Sequence, residues 1–132
     1  MCKKFKVVIA GSRDFDDYEI LKEFCNKVLK DKMETNKIVI VSGNARGADR
    51  LGEKYAEEMG FEIDSHPALW GKYGKYAGFQ RNIEMAKVAD AAIMFWDGKS
   101  KGTKHMIEQC KQHHIPFRIK SFDNDNKETT LD

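Results

Sequence analysis

The feature that most constrains this chain is a fivefold alternation of short, continuously apolar runs with longer segments of helical spacing. "FKVVIAG" (5–11) ends in glycine, and Tyr18, Leu21, Phe24, Cys25 and Val28 then recur on one helical face of "DDYEILKEFCNKVLKDK". "NKIVIVSG" (36–43) leads to Ala48, Leu51, Tyr55, Ala56 and Met59 on one face of a helix that Gly60 closes. "FEIDSHP" (61–67) is a weaker third strand stopped by Pro67, followed by an aromatic, glycine-rich loop, "ALWGKYGKYAG". A helix through "FQRNIEMAKVA", a strand "DAAIMFW", a loop "DGKSKG" and a helix "TKHMIEQCKQHH" come next. Pro116 opens a fifth strand, "PFRIKSF".

Strands apolar at every position are buried on both faces, which implies parallel pairing under helices. Right-handed crossovers then give an α/β, Rossmann-like, doubly wound domain: about five mostly parallel strands with helices on both faces. The 132 residues suffice for one such domain. The last ten, "DNDNKETTLD", hold four acids against one lysine and almost no apolar group, so 123–132 is expected to be a disordered acidic tail on a folded 1–122. The total formal charge of +2 thus becomes +5 on the folded part.

That balance is too small to mark a nucleic-acid or membrane surface. No run approaches the length of a membrane span, and "MCKKFKVVIAGSRDF" lacks the long apolar region of a signal peptide, so no secretory signal is expected. Cys2, Cys25 and Cys110 are odd in number and widely spaced, which argues against disulfides and zinc and for a reducing cytoplasm. The four histidines show no metal-ligating pattern, and no metal or cofactor is expected.

Ligands of doubly wound sheets bind beyond the carboxyl ends of the strands. Five of the ten glycines (Gly11, Gly43, Gly47, Gly98 and Gly102) lie in loops that follow strands. Cations stand near the expected helix starts: Arg13 in "GSRDF", Arg46 in "GNARGAD", Arg81 in "AGFQRN", Lys101 and Lys104 in "GKSKGTKH". A cation there costs a few tenths to about 1 kcal/mol against the helix dipole. An anion resolves the conflict, held by backbone N–H groups and guanidinium forks. The competing account is local pairing of Arg13 and Arg46 with Asp14, Asp16, Asp17 or Asp49. No GxxxxGK[ST] occurs, so this is not a P-loop NTPase, and no GxGxxG occurs, so a dinucleotide fingerprint is not supported. Trp70, Tyr73 and Tyr76 are either base-stacking groups or a small satellite core.

In order, "AGSRDF", "VSGNARGADRLGEKYA", "W-GKYGKYAGFQRN-EM" and "ADAAIMFWDGKSKGT" resemble the YspA-like proteins of the SLOG superfamily, which also holds the Smf/DprA proteins and the Lonely Guy (LOG) enzymes. The resemblance covers about residues 5 to 120. It implies a site for a nucleotide or nucleotide-derived ligand, contacted by the "SGNARGAD" and "GKSKGT" loops. The candidate contacts are Gly11, Ser12 and Arg13; Ser42, Gly43, Ala45, Arg46, Gly47 and Asp49; Trp70, Arg81 and Asn82; and Asp97, Ser100, Lys101, Gly102 and Thr103. LOG enzymes are phosphoribohydrolases with an arginine matched by Arg81 and a glutamate three residues after the position of Thr103. Met106 stands there in this chain. The expectation is therefore a binding domain for a nucleotide-like small molecule, with no identified catalytic group and a homodimer as its candidate assembly. The alternatives are a nucleotide N-glycosidase and a single-stranded nucleic-acid binder.

Overall fold

The computed structural model describes residues 3–122; Cys2 and the acidic terminal segment lie outside them. Five strands form one wholly parallel sheet: β1 (Lys3–Gly11), β2 (Asn36–Ser42), β3 (Glu62–Ser65), β4 (Ala91–Trp96) and β5 (Phe117–Ser121), in the order β3-β2-β1-β4-β5. The crossovers are α1 (Tyr18–Thr35), α2 (Ala48–Met59), α4 (Ala77–Val88) and α5 (Lys101–Gln112), with a one-turn helix α3 (Trp70–Tyr73) and a 3₁₀ turn (Gly74–Tyr76) ahead of α4.

The apolar runs are continuous because the sheet has two dry faces. Val7 and Ile9 of β1, Ile38 and Ile40 of β2, and Ile93 and Phe95 of β4 face α1 and α2 with Leu21, Cys25, Leu29 and Tyr55. The alternate residues, Val8, Ala10, Val41, Ala92 and Met94, meet Met85 and Ala86 of α4 and Met106, Ile107 and Cys110 of α5. Each fully buried aliphatic side chain of this kind contributes roughly 1.5–3 kcal/mol. The edge strands β3 and β5 are short and only partly buried.

β1 is the pivot: it pairs with β2 on one side and with β4 on the other. Strand order reverses there, so beyond the last pair, Gly11 with Phe95, the chain leaves β1 for α1 on one face and leaves β4 for α5 on the other. A Cβ on Gly11 would stand 2.2 Å from the Phe95 carbonyl oxygen, so only glycine lets the strands approach at this point.

Two local expectations are corrected. The segment expected as a loop at 68–78 is helical from Trp70 onward, because the Leu69 carbonyl accepts from both Lys72 and Tyr73 N–H and nucleates a turn despite Gly71 and Gly74. Met59, placed on the apolar face of α2, is 37% exposed; Asp49 and Gly52 occupy that face instead. Gly52 is needed there, since a Cβ would stand 2.7 Å from Ile9.

Candidate functional site

A crevice of about 420 Å³ opens at the β1–β4 divergence. The end of β1 supplies Gly11, Ser12 and Arg13; the β2–α2 loop supplies Ala45, Arg46 and Asp49; α4 supplies Arg81 and Asn82; the β4–α5 loop supplies Asp97, Ser100, Gly102 and Thr103. Three loops and the first turns of α4, distant in sequence, thus meet at one sheet edge. Met85 and Met106 form its apolar floor, so the position of the LOG glutamate faces the crevice as a thioether.

Each wall is fixed by local chemistry. Ser12 N–H donates to the Phe95 carbonyl (2.9 Å), and the Ser12 hydroxyl accepts from Asp97 N–H (3.2 Å), joining the two strand ends. Asp97 Oδ1 accepts from Lys99 N–H (2.8 Å) and Ser100 N–H (2.9 Å), which folds the turn into α5. Ser100 caps that helix by accepting from Thr103 N–H. The start of α2, by contrast, has no side-chain cap; its N-cap is Gly47.

Asp49 is 4% exposed, and its Oδ2 accepts from Ala45 N–H (3.2 Å). Burial pushes its carboxyl up to about 6, although Arg81, the Ala45 N–H and Arg13 pull the other way. Arg81 reaches across from α4 and donates from Nη1 to the Gly43 carbonyl (2.8 Å) and from Nε to Asn82 Oδ1 (3.1 Å). Its own pKa is lowered, chiefly by burial, despite Asp49. At Asp97 burial works upward, but the Lys99 and Ser100 N–H groups and the Ser12 hydroxyl prevail and hold the carboxylate below its ordinary range. One crevice therefore contains two carboxyl groups shifted in opposite directions.

Asn82 lines the crevice but is engaged by the protein. Its amide nitrogen lies 3.1 Å from the Gly102 carbonyl, to which it donates, and 3.2 Å from His105 Nδ1. Phe79 stacks on the His105 ring. Asn82 thus positions the α5 loop against Arg81. Arg46 forms an ion pair with Asp14 at 3.5 Å, both side chains being largely exposed, so the pairing expected as the competing account exists. Such pairs contribute about 0–1 kcal/mol. Arg46→Ala is accordingly expected to change unfolding free energy by less than about 0.5 kcal/mol, as measured by denaturant titration.

The remaining candidates stand elsewhere. Gly43 and Trp70 line a second recess of about 490 Å³ that borders the crevice. Ser42 is buried beneath it and donates to Glu53 (2.6 Å). Gly47 faces the backbone of Ser12 and Arg13 rather than the opening. Lys101 is the first residue of α5 and is exposed, and it lines neither space. Lys99 lines the crevice instead, because the Asp97 turn and the Ser100 cap set the phase of this loop. Arg81 also departs from expectation: it stands inside the first turns of α4, which follows α3 and the 3₁₀ turn, not a strand. Sequence reasoning missed Asp14, Lys99 and Met85 in the crevice and Asn44 and Arg50 in the recess. The second arginine of "ARGADR" was the available signal for Arg50.

Among the described residues no group of three His, Cys, Asp or Glu side chains could hold a metal ion. No described helix is long and apolar enough to cross a membrane.

Comparison with known proteins gives a consistent placement. The model of the YspA, cpYpsA-related SLOG family (YAcAr) matches residues 5–73. Gene 61 protein of Mycobacterium phage D29 is 35% identical over 119 residues, spanning 84% of this chain and 92% of that one. Among solved structures, DNA processing protein A from Helicobacter pylori, described for its single-stranded DNA binding mode, superposes with a TM-score of 0.58 at 20% identity, over 91% of this chain and 69% of that chain. Pyrococcus horikoshii OT3 translation initiation factor eIF-2B gives 0.56 at 15%, over 90% and 40%. At those identities the structural likeness is one of fold.

Proposed function

Because the chain belongs to the YspA, cpYpsA-related SLOG family, we propose that its crevice binds a nucleotide or nucleotide-derived small molecule, in a sensing, carrying or sequestering role. The observation that carries this reading is the convergence of Arg13, Arg46 and Arg81 on one crevice at the strand-order reversal, beside the start of α2, where no side chain caps the helix and the Ser12 carbonyl takes the Ala48 N–H. Guanidinium forks and free helix N–H groups are the chemistry of phosphate recognition. Asp97 and Asp49, as acceptors, suit sugar hydroxyls beside it.

Thermal unfolding with a panel of nucleoside mono- and diphosphates tests it. A ligand at about a hundred times its Kd adds roughly 2.7 kcal/mol, which moves the midpoint by several degrees. Arg81→Ala is expected to weaken binding about tenfold or more, since a charge-assisted hydrogen bond is lost. Wild-type midpoints unmoved by millimolar ligand across the panel would overturn the proposal.

A second reading, a nucleotide N-glycosidase, draws on one observation: Asp49 near 6 and an ionised Asp97 share the crevice, the pattern of a carboxyl pair poised as acid and base. Free base released from a nucleoside monophosphate, and not released by Asp49→Asn, would favour it. Chromatography showing intact nucleotide throughout retires it.

A further inference from the structure

Asn82 of α4 is buried, and both polar atoms of its side chain are engaged. Oδ1 accepts from Arg81 Nε–H (3.1 Å). The amide nitrogen lies 3.1 Å from the Gly102 carbonyl oxygen and 3.2 Å from His105 Nδ1. A guanidinium only donates and a carbonyl only accepts, so these two partners fix which end of the amide points where. The other amide N–H then faces His105 Nδ1, which accepts it only while that nitrogen is unprotonated. Phe79, stacked on the imidazole at 4.3 Å and 17°, holds the ring in place for this contact. A neutral His105 thus sets Asn82, and Asn82 sets the guanidinium whose Nη1 donates to the Gly43 carbonyl (2.8 Å) and which lines the crevice.

We infer that His105 is a positioning residue through which a single proton weakens anion binding in the crevice. A proton on Nδ1 confronts one donor with another. The amide relieves this by turning over, so that Oδ1 accepts from the imidazolium. Its nitrogen then faces Arg81 Nε–H, and the Gly102 carbonyl loses its donor. Arg81 is left on its Gly43 anchor, and the start of α5 loses its tie to α4. Anion affinity therefore falls as the ring takes up its proton, the reverse of what a histidine touching the anion gives. His105 lines neither the crevice nor the recess, so it acts through Asn82. From α4 the ring meets Phe79 and Asn82, with Arg81 beyond the amide. On α5, Lys101 and Lys104 are exposed, and Glu108 favours the proton. Burial outweighs Glu108 and lowers the pKa from its ordinary 6.5, so the ring is neutral at pH 7. Asp49 titrates near 6 in the same crevice and has to be separated from it.

This rests on the nucleotide reading, and the test keeps the two apart. The full chain is titrated calorimetrically with AMP at pH 8, 7, 6 and 5, beside His105→Phe, which keeps the stack, and His105→Gln, which keeps an acceptor. Neither variant has a proton to gain at this position. Asp49 and the AMP phosphate titrate alike in all three proteins, so the ratio of Kd values isolates His105. At pH 8 the three affinities are expected to agree within about twofold. By pH 5 the wild type should bind about tenfold more weakly than either variant, the factor that one hydrogen bond to a charged group supplies. In the ligand-free proteins, the NMR signal of Arg81 Nε–H should move further between pH 8 and pH 5 in wild type than in His105→Phe. A Kd ratio that stays constant across the series overturns the inference and leaves the nucleotide reading standing. AMP bound by none of the three proteins at pH 8 overturns that reading. The Arg81 signal then decides the relay alone, and equal movement in wild type and His105→Phe overturns it as well.

Discussion

Gly47→Ala is expected to destabilise the protein by about 3–5 kcal/mol and to lower its thermal midpoint by roughly 10 °C or more. Gly47 has φ 82° and ψ −129°, a conformation that L side chains rarely adopt. Space is lacking as well. A Cβ would stand 2.5 Å from the carbonyl oxygens of both Ser12 and Arg13. Neither oxygen is the end of a flexible side chain, and Ser12 O already accepts from Phe15 N–H and Ala48 N–H. Moving it breaks the link between the β1 end and α2. Gly102→Ala is the matched control, because nothing stands within 4 Å of its Cβ position and it lies within α5. That change is expected to be neutral or stabilising by up to about 1 kcal/mol. Urea titrations of both variants decide the matter. A loss below about 1 kcal/mol for Gly47→Ala would mean that the loop relaxes freely.

Asp49→Asn is expected to stabilise the ligand-free protein at pH 8 by about 1–3 kcal/mol, a gain that disappears as pH falls from about 6 to about 4. The folded carboxyl titrates near 6, above the ordinary value of 3.8, so the folded state holds this proton more tightly than the unfolded chain. Stability from this group is fully present below the unfolded value and is lost as pH rises through the folded one. Above about pH 6 the native state bears the whole cost of a buried carboxylate. Asparagine removes that cost while its amide oxygen still accepts from Ala45 N–H. The gain is less than the full shift because Arg81 loses its nearby anion. Unfolding curves of both proteins at pH 5 and pH 8 measure it. Destabilisation by Asp49→Asn at pH 8 would show that the Arg81 interaction outweighs desolvation. A stabilised variant with weaker nucleotide affinity is the usual signature of a strained functional group.

Much of this fold was legible because a two-faced sheet writes itself as unbroken apolar runs. Val7 to Ala10 and Ile38 to Val41 have no polar position, and helical spacing resumes after each. The crevice was legible for a related reason: glycine and arginine recur in the segments that follow strands, and those segments share one sheet edge. What escaped was side-chain reach and helix phase. Lys101 and Lys99 carry the same charge in the same loop, and only the Ser100 cap decides which faces inward. Trp70 to Tyr73 looked like a loop because glycine has poor helix propensity, which the Leu69 carbonyl overrides. Asp49 read as a pairing partner of a nearby arginine or as a ligand contact, and nothing local announces that it is buried and that Arg81, 32 positions later, stands beside it.

The central place of β1 also sets an order of assembly. β1 can pair with β2 as soon as the first crossover is made, whereas its other neighbour arrives late: Ser12 and Asp97, which join the two strand ends, are 85 residues apart. The loop-closure entropy of that contact must be met before any of its rewards are collected. The crevice is complete only once β4 lies against β1, because Ser12 and Asp97 line it from the two strand ends. A ligand that recognises the finished crevice would favour the state with β4 docked by mass action.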